Sequence, residues 1–481
     1  AKALDEEQLL AFRDRFAIPL KDDEVADAPY IRPPDDSREM RYLRERREQL
    51  GGFIPARHPT DETLEVPALD EFESLLQETD GSTTMALGRL LGMLLKHETL
   101  GRLVVPIIPD ESRTFGLETL FAQCGIYSRL GQRYEPVDAE MLIHYHEARN
   151  GQLLEEGITE AGAMSSFVAA GTSYANLGVT MLPFYLFYSM FGFQRIGDLI
   201  WAAADARAKG FLFGCIAGRT TLNGEGLQHQ DGHSPLLAST VPSCRSYDPA
   251  YAYEVAVLVQ DGLKRMFAEG ESCFYYLTLY NEGYESPALP RRDDVLDGIQ
   301  RGMYRLERIE AEGARDAPRP QLFGSGPILQ EVRRAAGLLA ERFGLSSDIW
   351  SVTSYCQLRR DALAAERFNG LHPDETPRGC HLQESLRDVR GPFIAATDDM
   401  RAVPDQIARW VPGRFFTLGT DGFGRSDTEA ALRRHFEVDA ECIAYTTLRA
   451  LADEDQYDRK TLWEALKTLD IDPEKMDPAT A

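Results

Sequence analysis

The sequence predicts an α/β protein with two domains, each a mainly parallel sheet flanked by helices. Its 481 residues exceed what one ordinary hydrophobic core accommodates. An apolar run at 181–187, a helical pattern at 189–209 and a second apolar run at 211–216 form a βαβ unit, which implies parallel strands. This alternation is interrupted by a stretch rich in proline and arginine and then resumes. We therefore assign residues 61–300 to one domain and 301–481 to the other.

The first 60 residues have a different character. They are highly charged and interrupted by prolines, with one mixed-charge helical pattern at 37–49. We predict a linker with a helical segment that wraps a domain surface and has no core of its own.

Within the two domains, each element follows from its apolar periodicity. In the first domain we predict helices at 83–97, 155–175 and 250–269, and further strands at 103–108 and 272–280. In the second we predict strands at 321–323, 349–353 and 415–418, and helices at 328–343 and 427–435. The Gly-Ser-Gly at 324–326 lacks the third glycine of a dinucleotide-binding turn, so we interpret it as a structural strand-to-helix turn.

Composition excludes several classes of function. The chain carries 77 acidic and 52 basic residues, a net charge of −25, which disfavours nucleic acid or an anionic membrane as a partner. Its seven cysteines are scattered without a CxxC pair, which indicates a reducing compartment and no zinc ribbon. The most apolar stretch, 179–204, contains Arg195 and Asp198 and is unsuited to a membrane span. The acidic first residues do not resemble a signal peptide, so we expect a cytoplasmic protein.

The segment 218–234, GRTTLNGEGLQHQDGHS, follows a predicted strand and so lies where α/β proteins place their chemistry. His229 and His233 are four residues apart, a spacing that would suit a metal if the segment were helical. Its glycines disfavour a helix, and no third histidine lies nearby in the sequence. We therefore predict no metal site and interpret the histidines as acid–base or substrate-binding groups in a loop.

Three further features each have two interpretations. Glu160 begins a helix of small residues, where it either complements the helix dipole or faces a ligand. Asp110 and Glu111 follow a strand, as solvated turn residues or as part of a site. A dense aromatic group is either core or a surface on which a ring stacks; its members are Tyr185, Phe187, Tyr188, Phe191 and Phe193.

Taken together, these motifs resemble the C-terminal half of the homodimeric type of pyruvate dehydrogenase E1 component, a thiamine diphosphate-dependent enzyme of the transketolase-like superfamily. The matching segments are 13–16, 107–116, 156–163, 183–198, 218–234, 246–255 and 418–427. The resemblance implies a transketolase-like pyrimidine-binding domain at 61–300 and a transketolase C-terminal-like domain at 301–481.

The resemblance also implies roles for the residues singled out above. Glu160 corresponds to the acid that hydrogen-bonds the aminopyrimidine ring of the cofactor, where it promotes removal of the thiazolium proton. Phe191 corresponds to the residue that stacks on that ring. His229 corresponds to the histidine that acts on substrate-derived intermediates. The remaining residues have supporting positions: Tyr188 and Ile158 beside the ring, Glu225 in ordering the loop, and Asp110, Glu111 and His233 in the cavity.

Two departures from the family stand out. Gln230 occupies a position where we expect an acidic residue. The Gly-Asp-Gly motif, through which the family binds the diphosphate and Mg²⁺, is absent from the sequence. The resemblance therefore implies that Mg²⁺ and the diphosphate are held mainly by an N-terminal half or a separate partner subunit, with a second protomer completing a dimer.

The leading functional hypothesis is decarboxylation of pyruvate and transfer of the acetyl unit to the lipoyl domain of an E2 acyltransferase. An alternative is a split transketolase-like or E1-like subunit that transfers a two-carbon unit to a carrier protein, such as an acyl carrier protein, in specialised metabolism. A regulatory or scaffolding remnant is disfavoured because Glu160, Phe191, Glu225 and His229 are all present.

Overall fold

The computed structural model describes residues 4–53, 57–109, 116–135, 145–313 and 318–481. The chain divides into two compact units, one ending at Arg57 and one spanning His58–Ala481. The first unit contains α1 (Glu6–Arg15), α2 (Asp22–Val25) and α3 (Arg38–Gln49). The helix predicted at 37–49 is confirmed, with the Ser37 side chain capping it by accepting from the Met40 amide at 3.2 Å.

The second unit is built on two main sheets. The elements around the first sheet are α4 (Glu73–Leu76), β1 (Thr79–Gly81), α5 (Thr83–Lys96), β2 (Val104–Ile108), α6 (Glu118–Cys124), β3 (Ile126–Tyr127), β4 (Glu147–Ala148), β5 (Leu154–Glu155), α7 (Glu160–Gly171), α8 (Ser173–Asn176), β6 (Leu182–Phe187), α9 (Phe193–Asp205), β7 (Phe211–Cys215), α10 (Ser234–Ala238), β8 (Cys244–Tyr247), α11 (Ala252–Leu263), β9 (Phe274–Leu279) and β10 (Tyr284–Ser286).

The elements around the second sheet are α12 (Asp293–Arg301), β11 (Tyr304–Ile309), β12 (Gln321–Gly324), α13 (Ile328–Phe343), β13 (Ser347–Ser351), α14 (Tyr355–Leu371), α15 (His381–Ser385), β14 (Phe393–Ala396), β15 (Phe415–Leu418), α16 (Glu429–Phe436), α17 (Ala440–Asp453) and α18 (Leu462–Thr468).

Both main sheets confirm the predicted α/β class. The six-stranded sheet has the order β5-β2-β6-β7-β9-β8 with every pair parallel. The five-stranded sheet has the order β11-β13-β12-β14-β15, and only β11 runs antiparallel to its neighbour. Every residue of β6, β7 and β9 is buried, as expected for central strands covered by helices on both faces. Among the described residues, no helix is long and apolar enough to cross a membrane.

Two helices begin several residues later than predicted. The helix predicted at 155–175 begins at Glu160, because residues 154–155 form β5 and pair with β2. The helix predicted at 189–209 begins at Phe193, because Ser189–Phe191 form a separate 3-10 turn. Both differences arise where the chain turns at the edge of the sheet, and both bear on the site described below.

A buried glutamate joins the two sheets. Glu254 of α11 is fully buried and accepts hydrogen bonds from the Tyr304 and Ser351 hydroxyls, each at 2.7 Å. It also accepts from the Ala250 and Tyr251 amides, at 2.6 and 3.2 Å. Tyr304 and Ser351 belong to the second sheet, so this carboxyl couples the two halves of the unit.

We expect Glu254→Ala to lower the free energy of unfolding by about 3 kcal/mol or more, because it leaves several buried donors without an acceptor. Chemical denaturation of the protein measures the change. Glu285→Ala removes an exposed carboxylate from β10 nearby and serves as the control, with an expected change below about 0.5 kcal/mol. Equal effects of the two substitutions would contradict the coupling assigned to Glu254.

Candidate functional site

The candidate site lies at the carboxyl edge of the first sheet. Strands β6 and β7 are parallel neighbours, so the segments that follow them emerge side by side. After β6 comes the 3-10 turn Ser189–Phe191, and after β7 comes the loop 218–233. Helix α7 begins at the same edge, where the Tyr185 hydroxyl of β6 donates to the Glu160 carbonyl at 3.3 Å. The fold thus brings together segments that the sequence analysis had treated separately.

Glu160 is the first residue of α7, and its side chain is buried at 8 % exposure. The preceding Thr159 caps the helix by accepting from the Gly162 amide. The Arg195 guanidinium donates to both carboxylate oxygens of Glu160, at 3.0 Å each. The same guanidinium lies 4.2 Å from the ring centre of Phe191. Arg195 therefore connects Glu160 with Phe191, two of the residues for which the family resemblance implies contact with the cofactor ring.

Phe191 and Tyr188 form an aromatic cluster with the loop histidine. The His229 ring centre lies 5.3 Å from that of Phe191 and 5.3 Å from that of Tyr188. The two aromatic rings are 6.3 Å apart. Four of the predicted site residues, Glu160, Tyr188, Phe191 and His229, are therefore gathered at one edge of the sheet.

The rest of the aromatic group belongs to the core. These residues are Tyr185 at 1 %, Phe187 at 0 % and Phe193 at 5 % exposure. They are buried because they lie within the covered strand β6 or at the start of α9. Tyr188 and Phe191, at the two ends of the 3-10 turn, contact His229 of the loop instead. The core interpretation of the aromatic group is thus confirmed for Tyr185, Phe187 and Phe193.

Glu225 and His229 are close without a hydrogen bond. The Glu225 Oε2 to His229 Nδ1 distance is 3.6 Å, and His229 ends the 3-10 turn Leu227–His229. Its buried Nδ1 atom has no hydrogen-bond partner among the residues that the structure describes. The ring is consequently held by aromatic contacts and is not fixed by a hydrogen bond at that nitrogen.

His233 lies outside the aromatic cluster. Its Nε2 atom is 2.5 Å from Gln194 Oε1, and its Nδ1 atom is 3.4 Å from Asp231. Asp231 is almost fully buried and accepts from the Ser189 hydroxyl at 2.6 Å and from the His233 and Ser234 amides. Asp231 therefore anchors the end of the loop to the turn after β6.

The remaining predicted residues have different outcomes. Ile158 lies in the turn before α7 and is 75 % exposed. Asp110 and Glu111 fall outside the described residues. Among the residues that are described, no group of three or more His, Cys, Asp or Glu side chains could hold a metal ion.

The second half of the unit holds the loop from the opposite side. The Arg219 and Thr220 amides both donate to the buried Asp398 carboxylate, at 3.1 Å each. Burial raises the pKa of Asp398 to about 6. The Met400 amide donates to the Gly232 carbonyl at 2.7 Å. The loop at the edge of the first sheet is therefore held by residues that follow strand β14 of the second sheet.

Sequence reasoning missed Arg195 and Asp398 as contributors to the site. Arg195 lies within the matching segment 183–198, where the sequence alone shows it only as a charge that disfavours a membrane span. Asp398 follows a short strand that had not been predicted, so nothing in the sequence placed it near the loop.

Comparisons with known proteins identify both halves. Residues 64–287 match the family model of the pyruvate dehydrogenase E1 component middle domain, and residues 302–439 match that of the transketolase-like TK C-terminal domain. The pyruvate dehydrogenase E1 component of Pseudomonas aeruginosa is 52 % identical over 99 % of this chain and 54 % of its own length. That of Escherichia coli K12 is 48 % identical over 98 % of this chain and 52 % of its own length. The chain thus spans about half the length of the curated relatives it matches.

Solved structures show the same fold at low sequence identity. Transketolase from Leishmania mexicana aligns with a TM-score of 0.58 at 14 % identity, covering 81 % of this chain and 48 % of that one. Transketolase from Campylobacter jejuni aligns with a TM-score of 0.56 at 16 % identity, covering 79 % and 49 %. At these identities the likeness supports the fold alone.

Proposed function

Because this chain belongs with the pyruvate dehydrogenase E1 components, over their middle and C-terminal domains, we propose that it binds the pyrimidine end of thiamine diphosphate and holds the loop histidine of such an enzyme. In this proposal residues 61–300 form the pyrimidine-binding domain and residues 301–481 the C-terminal domain that supports it. The complete enzyme decarboxylates pyruvate and transfers the acetyl unit to the lipoyl domain of an E2 acyltransferase.

The observation that carries the proposal is the placement of Glu160. The buried Glu160 carboxylate is linked through the Arg195 guanidinium to the Phe191 ring, and an acid and an aromatic ring at one edge of the sheet suit an aminopyrimidine, which offers a ring nitrogen to the acid and a flat face to an aromatic side chain. Thiamine diphosphate, when bound, supplies the carbon nucleophile and the electron sink for decarboxylation. Glu160 would hold the proton at the pyrimidine nitrogen, with Tyr188 and Ile158 beside the ring.

The loop residues have the complementary task. His229 reaches the same edge of the sheet, and its ring contacts both Tyr188 and Phe191. We propose that it exchanges protons with the substrate-derived group, since imidazole titrates near neutral pH. Glu225 lies within ion-pairing distance of it and would order the loop. Asp110, Glu111 and His233 would line the cavity.

The residues of this chain do not fit the diphosphate end of the cofactor. The sequence contains no Gly-Asp-Gly, and the described residues offer no acidic cluster for Mg²⁺. We therefore propose that the diphosphate and Mg²⁺ are held by a diphosphate-binding N-terminal half or partner subunit. A dimer with a second protomer and a cytoplasmic location complete the proposal. The exposed Ile158 and Leu227 beside the site support such a partner surface.

The test is reconstitution. The protein is combined with the diphosphate-binding half of an E1 component, thiamine diphosphate and Mg²⁺, and a lipoyl domain is offered with pyruvate. We expect acetylated lipoyl domain by mass spectrometry, and none when this chain is left out. Turnover of a ketose but not of pyruvate, or acetylation of an acyl carrier protein but not of the lipoyl domain, would favour the split-subunit alternative. Neither the site geometry nor the relatives named above favour that alternative.

Native mass spectrometry of the protein from its own source tests the proposed assembly. Two outcomes support the proposal: a dimer of a longer polypeptide, or this chain paired with a different subunit. Either one supplies the diphosphate-binding part. A homo-oligomer of this chain that binds thiamine diphosphate and Mg²⁺ unaided would contradict the proposed division.

A further inference from the structure

The residue after His229 is buried in a complete set of hydrogen bonds. The Gln230 side chain is 1 % exposed. Its Nε2 atom donates to the Arg425 carbonyl at 2.6 Å and to the Leu222 carbonyl at 3.2 Å. Its Oε1 atom accepts from the Arg425 amide at 2.7 Å. One carboxamide therefore ties the loop 218–233 to itself and to the glycine-rich segment after β15.

The surrounding contacts confine this side chain further. A methyl group added at Gly424 would lie 2.6 Å from Gln230 Oε1 and 2.8 Å from its Cβ atom. The Ser426 hydroxyl donates to the Glu225 carbonyl at 2.8 Å, which makes a second tie between the same two segments. Glycine at 424 is therefore required by the close approach of Gln230.

This arrangement discriminates between an amide and an acid. The Nε2 position faces two carbonyl oxygens, so the group there must be a donor. A carboxylate of the same shape would place negative charge against both oxygens in a buried setting, and it would fit only after taking up a proton. The amide meets the requirement at every pH.

We propose that Gln230 is a positioning residue whose hydrogen bonds hold the turn Leu227–His229 against segment 422–426, a contact that we call the seat of the loop. We further propose that the amide makes this contact independent of pH. The inference rests on the proposed role of His229 for its functional meaning, while the seat itself can be tested without cofactor. The charged and titratable groups of the two segments are Arg219, Glu225, His229, Asp231 and His233 on the loop and Arg425 opposite, and none of them replaces the donor at Nε2.

Amide hydrogen exchange over residues 222–230 tests the proposal on the protein alone. The carboxyl introduced by Gln230→Glu fits this position only when protonated, so docking is complete below the ordinary glutamate pKa of about 4.3 and is progressively lost as pH rises above it. After correction for intrinsic rates, we expect Gln230→Glu to exchange only a few-fold faster than the parent at pH 5 and about 10- to 100-fold faster at pH 8. The parent itself should show no such pH dependence.

Two further variants complete the design. Gln228→Glu makes the same chemical change at an exposed position of the same loop and should behave like the parent at both pH values. Gly424→Ala disturbs the seat sterically and should speed exchange equally at pH 5 and pH 8. The proposal is overturned if Gln230→Glu exchanges like the parent at both values, if it loosens equally at both, or if Gln228→Glu shows the same pH dependence. If Gln230→Glu loses exchange protection at pH 8 but the reconstituted enzyme still transfers acetyl groups at the parental rate, the proposed chemistry does not depend on the seat.

Discussion

Glu160→Gln is expected to slow hydrogen exchange at the thiazolium carbon of bound thiamine diphosphate by about 100- to 10,000-fold in the reconstituted enzyme. An amide keeps the size of the side chain but cannot hold or share a proton at the pyrimidine nitrogen, which is the role proposed for the Glu160 carboxyl. The fold should be preserved, because Glu160 pairs with an Arg195 side chain that is 49 % exposed, and such pairs contribute little to stability. Quenched-flow exchange monitored by NMR measures the rate.

A matched carboxylate provides the control for this substitution. Glu156 lies in the turn before α7 and accepts from the Ser166 hydroxyl at 2.5 Å. Glu156→Gln should leave the exchange rate within about twofold of the parent, because the amide keeps the size of the side chain and an acceptor for the Ser166 hydroxyl. Exchange at the parental rate in Glu160→Gln would remove Glu160 from the proposed chemistry.

His229→Ala should spare cofactor binding and reduce reductive acetylation of the lipoyl domain by about 100- to 10,000-fold. The ring contacts Tyr188 and Phe191, and its Nδ1 atom lacks a hydrogen-bond partner among the described residues, so the imidazole is positioned at the site with that nitrogen uncommitted. Titration calorimetry measures binding of thiamine diphosphate, and mass spectrometry of the lipoyl domain measures acetyl transfer.

Gln228→Ala, a change at the exposed residue immediately before His229, separates this effect from a general disturbance of the segment. It should leave both binding and acetyl transfer unchanged. If His229→Ala transfers acetyl groups at the parental rate, the histidine has no part in the reaction.

The sequence predicted the sheet class well, since the central strands are continuous apolar runs and the helices between them are periodic. It placed helix starts less well at the edge of the sheet. The start of α7 depends on the pairing of residues 154–155 with β2, which is a tertiary contact. Strand β14, Phe393–Ala396, has only four residues, which is too short to give a periodic pattern. Strand β11 was not predicted either, because it lies at the edge of the second sheet and three of its six residues are charged, so it lacks a continuous apolar run.

For the candidate site, residue types and motifs indicated Glu160, Phe191 and His229, but not what surrounds them. Arg195 reaches Glu160 across 35 positions, and Asp398 reaches Thr220 across 178. Periodicity carries no information at such separations, because the contacts depend on how the sheets are assembled. The position of Gln230 illustrates this point, since its departure from the expected acid could be noticed in the sequence but interpreted only from its partners.

The seat of the loop has a consequence for how the chain acquires function during synthesis. The loop 218–233 leaves the ribosome long before Asp398 and Arg425, which hold it. In a nascent chain that ends before these residues, the loop that carries His229 lacks both contacts. Contacts of such long range form late and slow folding. A gene break between the two sheets would therefore yield an amino-terminal piece that contains every proposed catalytic side chain but lacks the support that places one of them.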